Sequence, residues 1–339
     1  MNVRVNSKRP AVVLTQKAFA ETRERLAEHA RLILNDGRNA WSASRLKEEA
    51  YTAEAIMAFM TDRVDEDLLA GCPQLKVVGG ALKGYDNIDI EACTQRGIWV
   101  TNVPDLLTVP TAELAIGLTI GLARHIVAGD AFVRSGAFTG WSPRFYGTGL
   151  ANRTVGIIGF GAIGQAIAQR MAGFDVRLCY SEISDRSETR EYPEHLPLHA
   201  LLEASDIVVL AAPLTDTTLH LINRETVAMM RPHALLINPG RGSVVDEVAV
   251  REALLANRLG GYAADVFEME DLSREPRPKA IDSALRRHPR TLFTPHLGSA
   301  VADVRRAIEM RAAENIIRVL MGGEPLDPVN RPLKHDIEC

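Results

Sequence analysis

The stretch Thr154-Val-Gly-Ile-Ile-Gly-Phe-Gly-Ala-Ile-Gly164 decides the fold of this chain. Its first residues, Val155 to Ile158, are apolar and partly β-branched, which is typical of a buried strand. Gly159, Gly161 and Gly164 follow in the spacing G-x-G-x-x-G, and helix-forming residues with an apolar stripe come next. This order predicts a strand, a tight turn and a helix.

Each glycine of this turn has a physical task. Gly159 permits the tight turn, Gly161 lets the backbone approach a pyrophosphate, and Gly164 lets the helix and the strand pack closely. The first helical turn, with Ala162 and Ile163, offers free backbone N–H groups to phosphates. We therefore predict a dinucleotide-binding βαβ unit. The alternative is an ordinary βαβ turn with incidental glycines.

A second apolar strand, Val176–Tyr180, leads to Glu182, which lies eighteen residues past the last glycine. A carboxylate at this place can accept hydrogen bonds from the ribose hydroxyls of the adenosine. It would repel a ribose phosphate, and Ile183 follows it where an NADP enzyme places an arginine. We expect NAD as the cofactor, with weaker use of NADP because Arg186 is close enough in sequence to soften the repulsion.

The bulk composition is that of a globular protein with about two domains. The chain has 339 residues, of which 46% are hydrophobic and 24% charged, and its net charge of −4 gives no hint of a nucleic-acid or membrane partner. The widely spaced cysteines Cys72, Cys93, Cys179 and Cys339 indicate reduced thiols in a cytoplasmic protein, with neither disulfides nor a metal site.

Strands alternate with helices along residues 11–101, which predicts an α/β domain with a parallel sheet before the dinucleotide-binding unit. A long helix from Thr108 to about Gly129 should follow, and 137–152 should be irregular. That irregular segment is either an arm on a partner chain or a loop over its own domain. A final helix after Ser299 should return to the first domain. The predicted domains are therefore 1–107 plus 299–339, which is discontinuous, and 108–298.

Candidate functional side chains follow the later strands of the dinucleotide-binding unit. Ligands of open α/β sheets bind at the carboxyl ends of strands, so these positions support one another. Arg241 offers a planar fork for an oxyanion. His296 suits proton transfer, since imidazole titrates near neutral pH. A carboxylate that orients it is expected at Glu270, with Glu268 as the rival.

The glycine loop, Arg241, Glu270 and His296, in this order, resemble the D-2-hydroxyacid dehydrogenases. The resemblance runs from Val12 to about Leu320. It implies a Rossmann domain and a flavodoxin-like domain, a homodimer, and hydride exchange with a nicotinamide. It also implies that Arg241 binds the substrate anion and that His296, paired with Glu270, moves the proton. The implied cofactor contacts further include Thr111, Pro213, Asn238 and Asp265.

A narrower resemblance, to the phosphite dehydrogenases within this family, lies in residues 80–87, 103–113, 261–271 and 294–300. It implies oxidation of phosphite to phosphate with NAD. The same comparison places Lys83 and Arg305 at the substrate, and it makes Met60, Trp141 and Tyr146 pocket-lining residues.

Charge agrees with this narrower resemblance. Phosphite is largely a dianion at neutral pH, so Lys83 and Arg305 beside Arg241 suit its higher charge. Water would attack phosphorus, with His296, paired with Glu270, as its general base. The alternative enzyme is a D-2-hydroxyacid dehydrogenase or glyoxylate/hydroxypyruvate reductase, which needs neither extra cation. An NAD-sensing binding protein is a third alternative, although a sensor has no need of a base.

Overall fold

The structure is a computed structural model that describes residues 9–37, 39–182 and 193–333. The chain divides into two compact units. The first unit comprises residues 1–107 and 301–339, and the second comprises 108–300. Each unit is built on an all-parallel sheet with helices between the strands. The predicted α/β class with two parallel sheets is confirmed.

Within the described residues, the sheet of the first unit has five strands, and the last helix of the chain belongs to this unit. Its elements are β1 Ala11–Leu14, α1 Ala20–Ala27, β2 Arg31–Leu34, α2 Ala43–Ala50, β3 Ala55–Ala58, α3 Glu66–Ala70, β4 Val77–Gly80, α4 Ile90–Gln95, β5 Trp99–Thr101 and α12 Ala302–Leu320. The strand order 2-1-3-4-5 is that of flavodoxin-like sheets.

The helix α12 completes the core of the first unit. Its residues Ile308, Ala312 and Ile316 are fully buried in one cluster with Val12 and Leu14 of β1. A side chain at Gly79 of β4 would overlap Ile316, because its Cβ would lie 2.5 Å from Cγ1 of that residue. The absence of a side chain on β4 therefore lets α12 lie against the sheet.

The described sheet of the second unit has seven strands in the order 12-11-10-9-6-7-8. Its elements are α5 Thr108–Ala123, α6 Ile126–Arg134, β6 Thr154–Ile158, α7 Ala162–Met171, β7 Arg177–Ser181, β8 Glu194–His195, α8 Leu198–Ala204, β9 Ile207–Leu210, α9 Arg224–Met229, β10 Leu235–Asn238, α10 Glu247–Leu255, β11 Gly261–Ala264, α11 Ser283–Arg287 and β12 Thr291–Phe293. Counted from β6, the order contains the 3-2-1-4-5-6 arrangement of dinucleotide-binding sheets.

The expectation of one helix from Thr108 to about Gly129 is wrong. His125 has a left-handed backbone with φ of 54°, so the chain turns between α5 and α6. The two helices make an angle of 64°. Nine residues of α5 are buried, whereas none of the residues of α6, all of them described, is buried.

The segment 135–149 lies outside helices and strands, as predicted for 137–152, and almost all of its residues are exposed. It contacts α6 through rings: Phe138 and Phe145 both pack edge-on against Phe132. Its other aromatic residues, Trp141 and Tyr146, are 85% and 77% exposed. The segment therefore adds exposed aromatic surface to α6.

No single helix among the described residues is long and apolar enough to cross a membrane. The pair α5 and α6 satisfies the length and hydropathy criteria only when the two are taken together across their bend.

A buried aspartate joins three loops at the carboxyl ends of the strands of the first unit. The Asp62 carboxylate, after β3, accepts hydrogen bonds from the Thr15 hydroxyl, after β1, and from the Phe59 N–H at 2.7 Å. Asn87, in the loop after β4, donates to the carbonyl oxygens of Phe59 at 3.1 Å and Asp62 at 2.6 Å. Burial raises the pKa of Asp62 to about 6. The loop that carries Met60 is thus joined by side-chain hydrogen bonds to the loop after β1 and to the loop after β4.

We predict that Asp62→Asn removes a pH dependence of stability. Because the folded state holds the Asp62 proton more tightly than the unfolded chain does, this contribution is complete below about pH 4 and is lost as the pH rises past about 6. It amounts to about 3 kcal/mol at most. Urea unfolding of both proteins between about pH 4 and 8, followed by tryptophan fluorescence, measures it. If the free energy of unfolding changed with pH in the same way in wild type and in Asp62→Asn, the prediction would be contradicted.

Candidate active site

The glycine loop has room for a dinucleotide. Gly159 follows β6 with φ of 86°, and a Cβ there would lie 2.8 Å from the amide nitrogen of Ala212. A Cβ on Gly164 would lie 2.2 Å from the carbonyl oxygen of Gly159. By contrast, nothing lies within 4 Å of the position of a Cβ on Gly161, which is exposed and precedes α7. Gly164 therefore allows close packing of α7 on the turn, and Gly161 leaves open space for a pyrophosphate. The loop fits a dinucleotide.

Glu182 comes directly after β7 and is half-buried. The parallel strands β6 and β7 pair from Thr154 with Arg177 to Ile158 with Ser181, so Glu182 lies at the same sheet edge as Gly159. The Gly159 N–H donates to the Ser181 carbonyl at 2.9 Å. Ile183 and Arg186, which bear on the use of NADP, lie outside the described residues.

The imidazole of His296 pairs with Glu270 and not with Glu268. Its Nδ1 lies 2.8 Å from Oε2 of Glu270, while Oε1 of that residue accepts the N–H of Phe267 at 2.8 Å. The side chains of His296 and Glu270 are 24% and 29% exposed. Since Nδ1 is engaged by the carboxylate, Nε2 is the nitrogen left to exchange a proton with a substrate.

Asp265 orders the loop that carries His296. The residue is 1% exposed, and its carboxylate accepts hydrogen bonds from the Thr294 hydroxyl at 2.6 Å, the Leu297 N–H at 2.7 Å and the Gly298 N–H at 2.8 Å. His296 itself has φ of 57°, a left-handed conformation that costs free energy for a residue with a side chain. Burial raises the pKa of Asp265, and these hydrogen bonds oppose the rise.

Arg241 lies in a turn that is held by the last residue of β10. Asn238 is fully buried, and its side chain donates to the Arg241 carbonyl at 2.9 Å and accepts from the Gly240 N–H at 3.1 Å. The guanidinium is half-buried and donates to the Gly240 carbonyl at 3.1 Å. Of the other predicted cofactor contacts, Thr111 is buried in α5 and donates to Gly298, whereas Pro213 is exposed after β9.

Two predicted cations lie in the first unit, close to the loop after β4. The Arg305 side chain, which is 15% exposed, donates to the Ala81 carbonyl at 3.2 Å and lies over the ring of Phe59. Burial lowers the pKa of Arg305, and Glu309 at 3.8 Å opposes this. Lys83 is half-buried, and burial lowers its pKa against the opposite effect of Asp105.

The remaining substrate candidates are placed differently. Met60 is half-buried directly after Phe59, next to the ring that Arg305 covers. Trp141 and Tyr146 lie in the exposed segment 135–149 of the second unit. Among the residues that the structure describes, no group of three or more histidines, cysteines or acids is arranged to hold a metal ion.

The sequence patterns did not show that three acids, with Glu268 among them, meet beside the Arg241 turn. Glu247, Glu268 and Asp271 all accept hydrogen bonds from backbone N–H groups of neighbouring loops. The fragments Val-Asp-Glu247 and Phe-Glu268-Met-Glu were visible, but no local pattern shows that they meet.

Known proteins resemble nearly the whole chain. Residues 116–298 match the family described as D-isomer specific 2-hydroxyacid dehydrogenase, NAD binding domain. The chain belongs to this family. A glyoxylate reductase of Thermococcus onnurineus is 37% identical over 330 residues, covering 95% of this chain and 96% of the relative. A glyoxylate reductase of Pyrococcus furiosus is 40% identical over 294 residues, covering 85% of each.

Solved structures also resemble nearly the whole chain. An NADPH-dependent glyoxylate/hydroxypyruvate reductase of Sinorhizobium meliloti, in complex with NADP and malonate, has a TM-score of 0.84 at 30% identity and covers 97% of this chain and 99% of its own. A Thermus thermophilus protein has a TM-score of 0.85 at 34% identity, covering 94% and 100%. This dehydrogenase therefore has an NAD-binding domain in its second unit.

We predict that His296→Ala lowers 2-hydroxyacid dehydrogenase turnover by roughly 10²- to 10⁴-fold, the usual contribution of a positioned acid or base. The glycine loop is untouched, so the dissociation constant of NADH should stay within about twofold. Steady-state rates and quenching of protein fluorescence by NADH measure the two quantities. His199→Ala, an exposed histidine on α8, is the control. A near-normal rate for His296→Ala would refute the role.

Proposed function

We propose that this dehydrogenase interconverts a small 2-oxo acid and its 2-hydroxy acid, with glyoxylate as the first candidate substrate. The pairing of His296 Nδ1 with Glu270 at 2.8 Å carries the proposal, since it leaves Nε2 for a carbonyl or hydroxyl oxygen. Relatives that cover most of the chain are named glyoxylate reductase, which supports the same substrate class. When NAD(H) is bound, its nicotinamide supplies or accepts the hydride.

Each side chain has one task in this reaction. Arg241 binds the carboxylate of the substrate through its planar guanidinium. His296 donates a proton to the carbonyl oxygen during reduction and takes it back during oxidation. Glu270 orients the imidazole and stabilises its charged form. Glu182 disfavours a ribose phosphate, so we propose NAD(H) over NADP(H) as the preferred cofactor.

A second candidate, the oxidation of phosphite to phosphate, is favoured by the two cations of the first unit. This candidate requires Lys83, Arg241 and Arg305 to bind one dianion. His296 would take a proton from the water that attacks phosphorus, while the P–H bond breaks and its hydride passes to NAD. A unit charge pair at about 4 Å is worth roughly 4 kcal/mol at an effective dielectric of about 20, before desolvation. Glu309 beside Arg305 offsets part of this gain. The names of the relatives support glyoxylate.

One panel of assays separates the candidates. Absorbance at the NADH band is followed with NADH or NADPH plus glyoxylate or hydroxypyruvate, and with NAD plus phosphite or D-glycerate. We expect NADH oxidation with glyoxylate and a lower KM for NADH than for NADPH. Wild type and Lys83→Ala are compared, because a phosphite enzyme should show at least a tenfold higher KM for phosphite in the variant. No turnover of glyoxylate or hydroxypyruvate would overturn the first candidate, and no NADH formation with phosphite the second.

We also propose that two copies associate through α6 and the segment 135–149. Ile126, Val127 and Val133 of α6 are 53%, 62% and 54% exposed, and the aromatic residues of the segment extend this apolar surface. Apolar patches of this kind mark protein interfaces.

Sedimentation equilibrium at micromolar concentration should therefore give twice the chain mass of 37.1 kDa. Val133→Asp should shift the protein toward the single-chain mass, because a carboxylate would be buried in the interface. His199→Ala, an exposed position on α8 outside this surface, is the control. A wild-type protein that sediments as a single chain would contradict the proposal.

A further inference from the structure

The turn of Arg241 is joined to the turn of Glu270 by carboxylates. The N–H of Ser243 donates to Oδ2 of Asp271 at 2.6 Å. Four residues on, the N–H of Glu247 donates to Oε1 of Glu268 at 2.8 Å, and the N–H of Glu268 donates to Oε1 of Glu247 at 2.9 Å. Three backbone donors and three acids therefore connect the segments 241–247 and 267–271.

The contact between these segments is close and buried. Glu247 and Asp271 are 5% and 4% exposed. A Cβ on Gly242 would lie 1.9 Å from the carbonyl carbon of Phe267, so the two backbones touch where a side chain would stand. Such contact leaves little freedom for one turn to move without the other.

His220 adds a third loop to the same cluster. Its N–H donates to the Ser243 carbonyl at 2.7 Å, and its Nε2 lies 3.6 Å from Oε1 of Glu268. Burial raises the pKa of Glu247 to about 7, and burial also raises the pKa of Glu268, which His220 opposes. The titratable groups that act on this pair are Asp246, Glu270, Asp271 and His220. Burial raises the pKa of Tyr262, and the pair in turn adds to this rise.

We propose that Glu247, Glu268 and Asp271 are positioning residues that fix the anion-binding Arg241 relative to the His296–Glu270 pair. Arg241 directly precedes Gly242, and Glu270 stands between Glu268 and Asp271 in the chain. Loss of an acceptor would leave a backbone N–H unpaired in a buried place, and the turn would move to satisfy it. A displacement of about 1 Å between binding and proton-transferring groups can cost on the order of 10²-fold in rate. The catalytic part of this inference rests on the proposed function.

Glu268→Ala and Glu268→Gln test the inference in the NAD-loaded protein. The alanine variant lacks the acceptor for the Glu247 N–H, whereas glutamine retains a carbonyl oxygen at the same place. We expect glyoxylate kcat/KM to fall by 10- to 100-fold in Glu268→Ala and to recover to within about threefold of wild type in Glu268→Gln. The dissociation constant of NADH should stay within about twofold, because the glycine loop is not involved.

Asp282→Ala is the matched control. Asp282 also accepts two backbone N–H groups, from Ala284 at 2.8 Å and Leu285 at 3.1 Å, but it caps α11 and contacts neither turn. It should lower thermal stability and leave kcat/KM unchanged. Equal kinetic losses in Asp282→Ala and Glu268→Ala, or no loss in Glu268→Ala, would show that Glu268 has only a structural role.

Hydrogen–deuterium exchange and the binding of oxalate, a non-reducible dianion, keep this test separate from the proposed function. Exchange in 242–247 and 267–271 should rise and oxalate affinity should fall in Glu268→Ala, but not in Glu268→Gln or Asp282→Ala. If wild type does not turn over glyoxylate, the proposed substrate fails and these two measurements decide the positioning role. Unchanged exchange and unchanged oxalate affinity in Glu268→Ala would overturn it.

Discussion

The carboxylate of Asp265 is the constraint on which the proton-transferring pair depends. A left-handed residue with a ring side chain is unfavourable in isolation, and His296 keeps this conformation because three donors around it converge on one buried acid. With the loop fixed, the imidazole meets Glu270. A buried charge that would be costly without partners is thus stabilised by the backbone it orders.

The same device recurs in both units. The buried Asp62 in the first unit, and the buried Glu247 and Asp271 with the half-buried Glu268 in the second, accept hydrogen bonds from backbone N–H groups of loops at the carboxyl ends of strands. Hydrogen bonds to carboxylates are stronger than neutral ones, and here they act together with apolar contacts, such as those of Val244, Val245 and Phe267, to fix the shape of the loops. The sheets fix where the strands end, and the hydrogen bonds to these acids fix the positions of the loops that follow.

Local patterns predicted the parts of this protein that depend on local chemistry. The glycine spacing at 159–164 and the apolar strands gave the right sheet class, because those features need only neighbours in sequence. The turn at His125 was missed, since one left-handed residue between two apolar segments has no sequence signature. The Glu247–Glu268 pair was also missed, because its partners are distant in sequence and meet only after folding. The assignment of Lys83 and Arg305 came from resemblance to a family and remains a proposal.

The path of α12 reverses the usual order of folding during synthesis. The second unit is continuous over 108–300, while the core of the first unit contains Ile308, Ala312 and Ile316 next to β1. The strands of the first unit are synthesised first. The face of their sheet that α12 covers therefore stays uncovered until the second unit has been synthesised and α12 has left the ribosome. N-terminal domains generally fold first as a chain is translated, and here the N-terminal sheet can be finished only last. The uncovered apolar face of this sheet is where chaperones would bind the nascent chain.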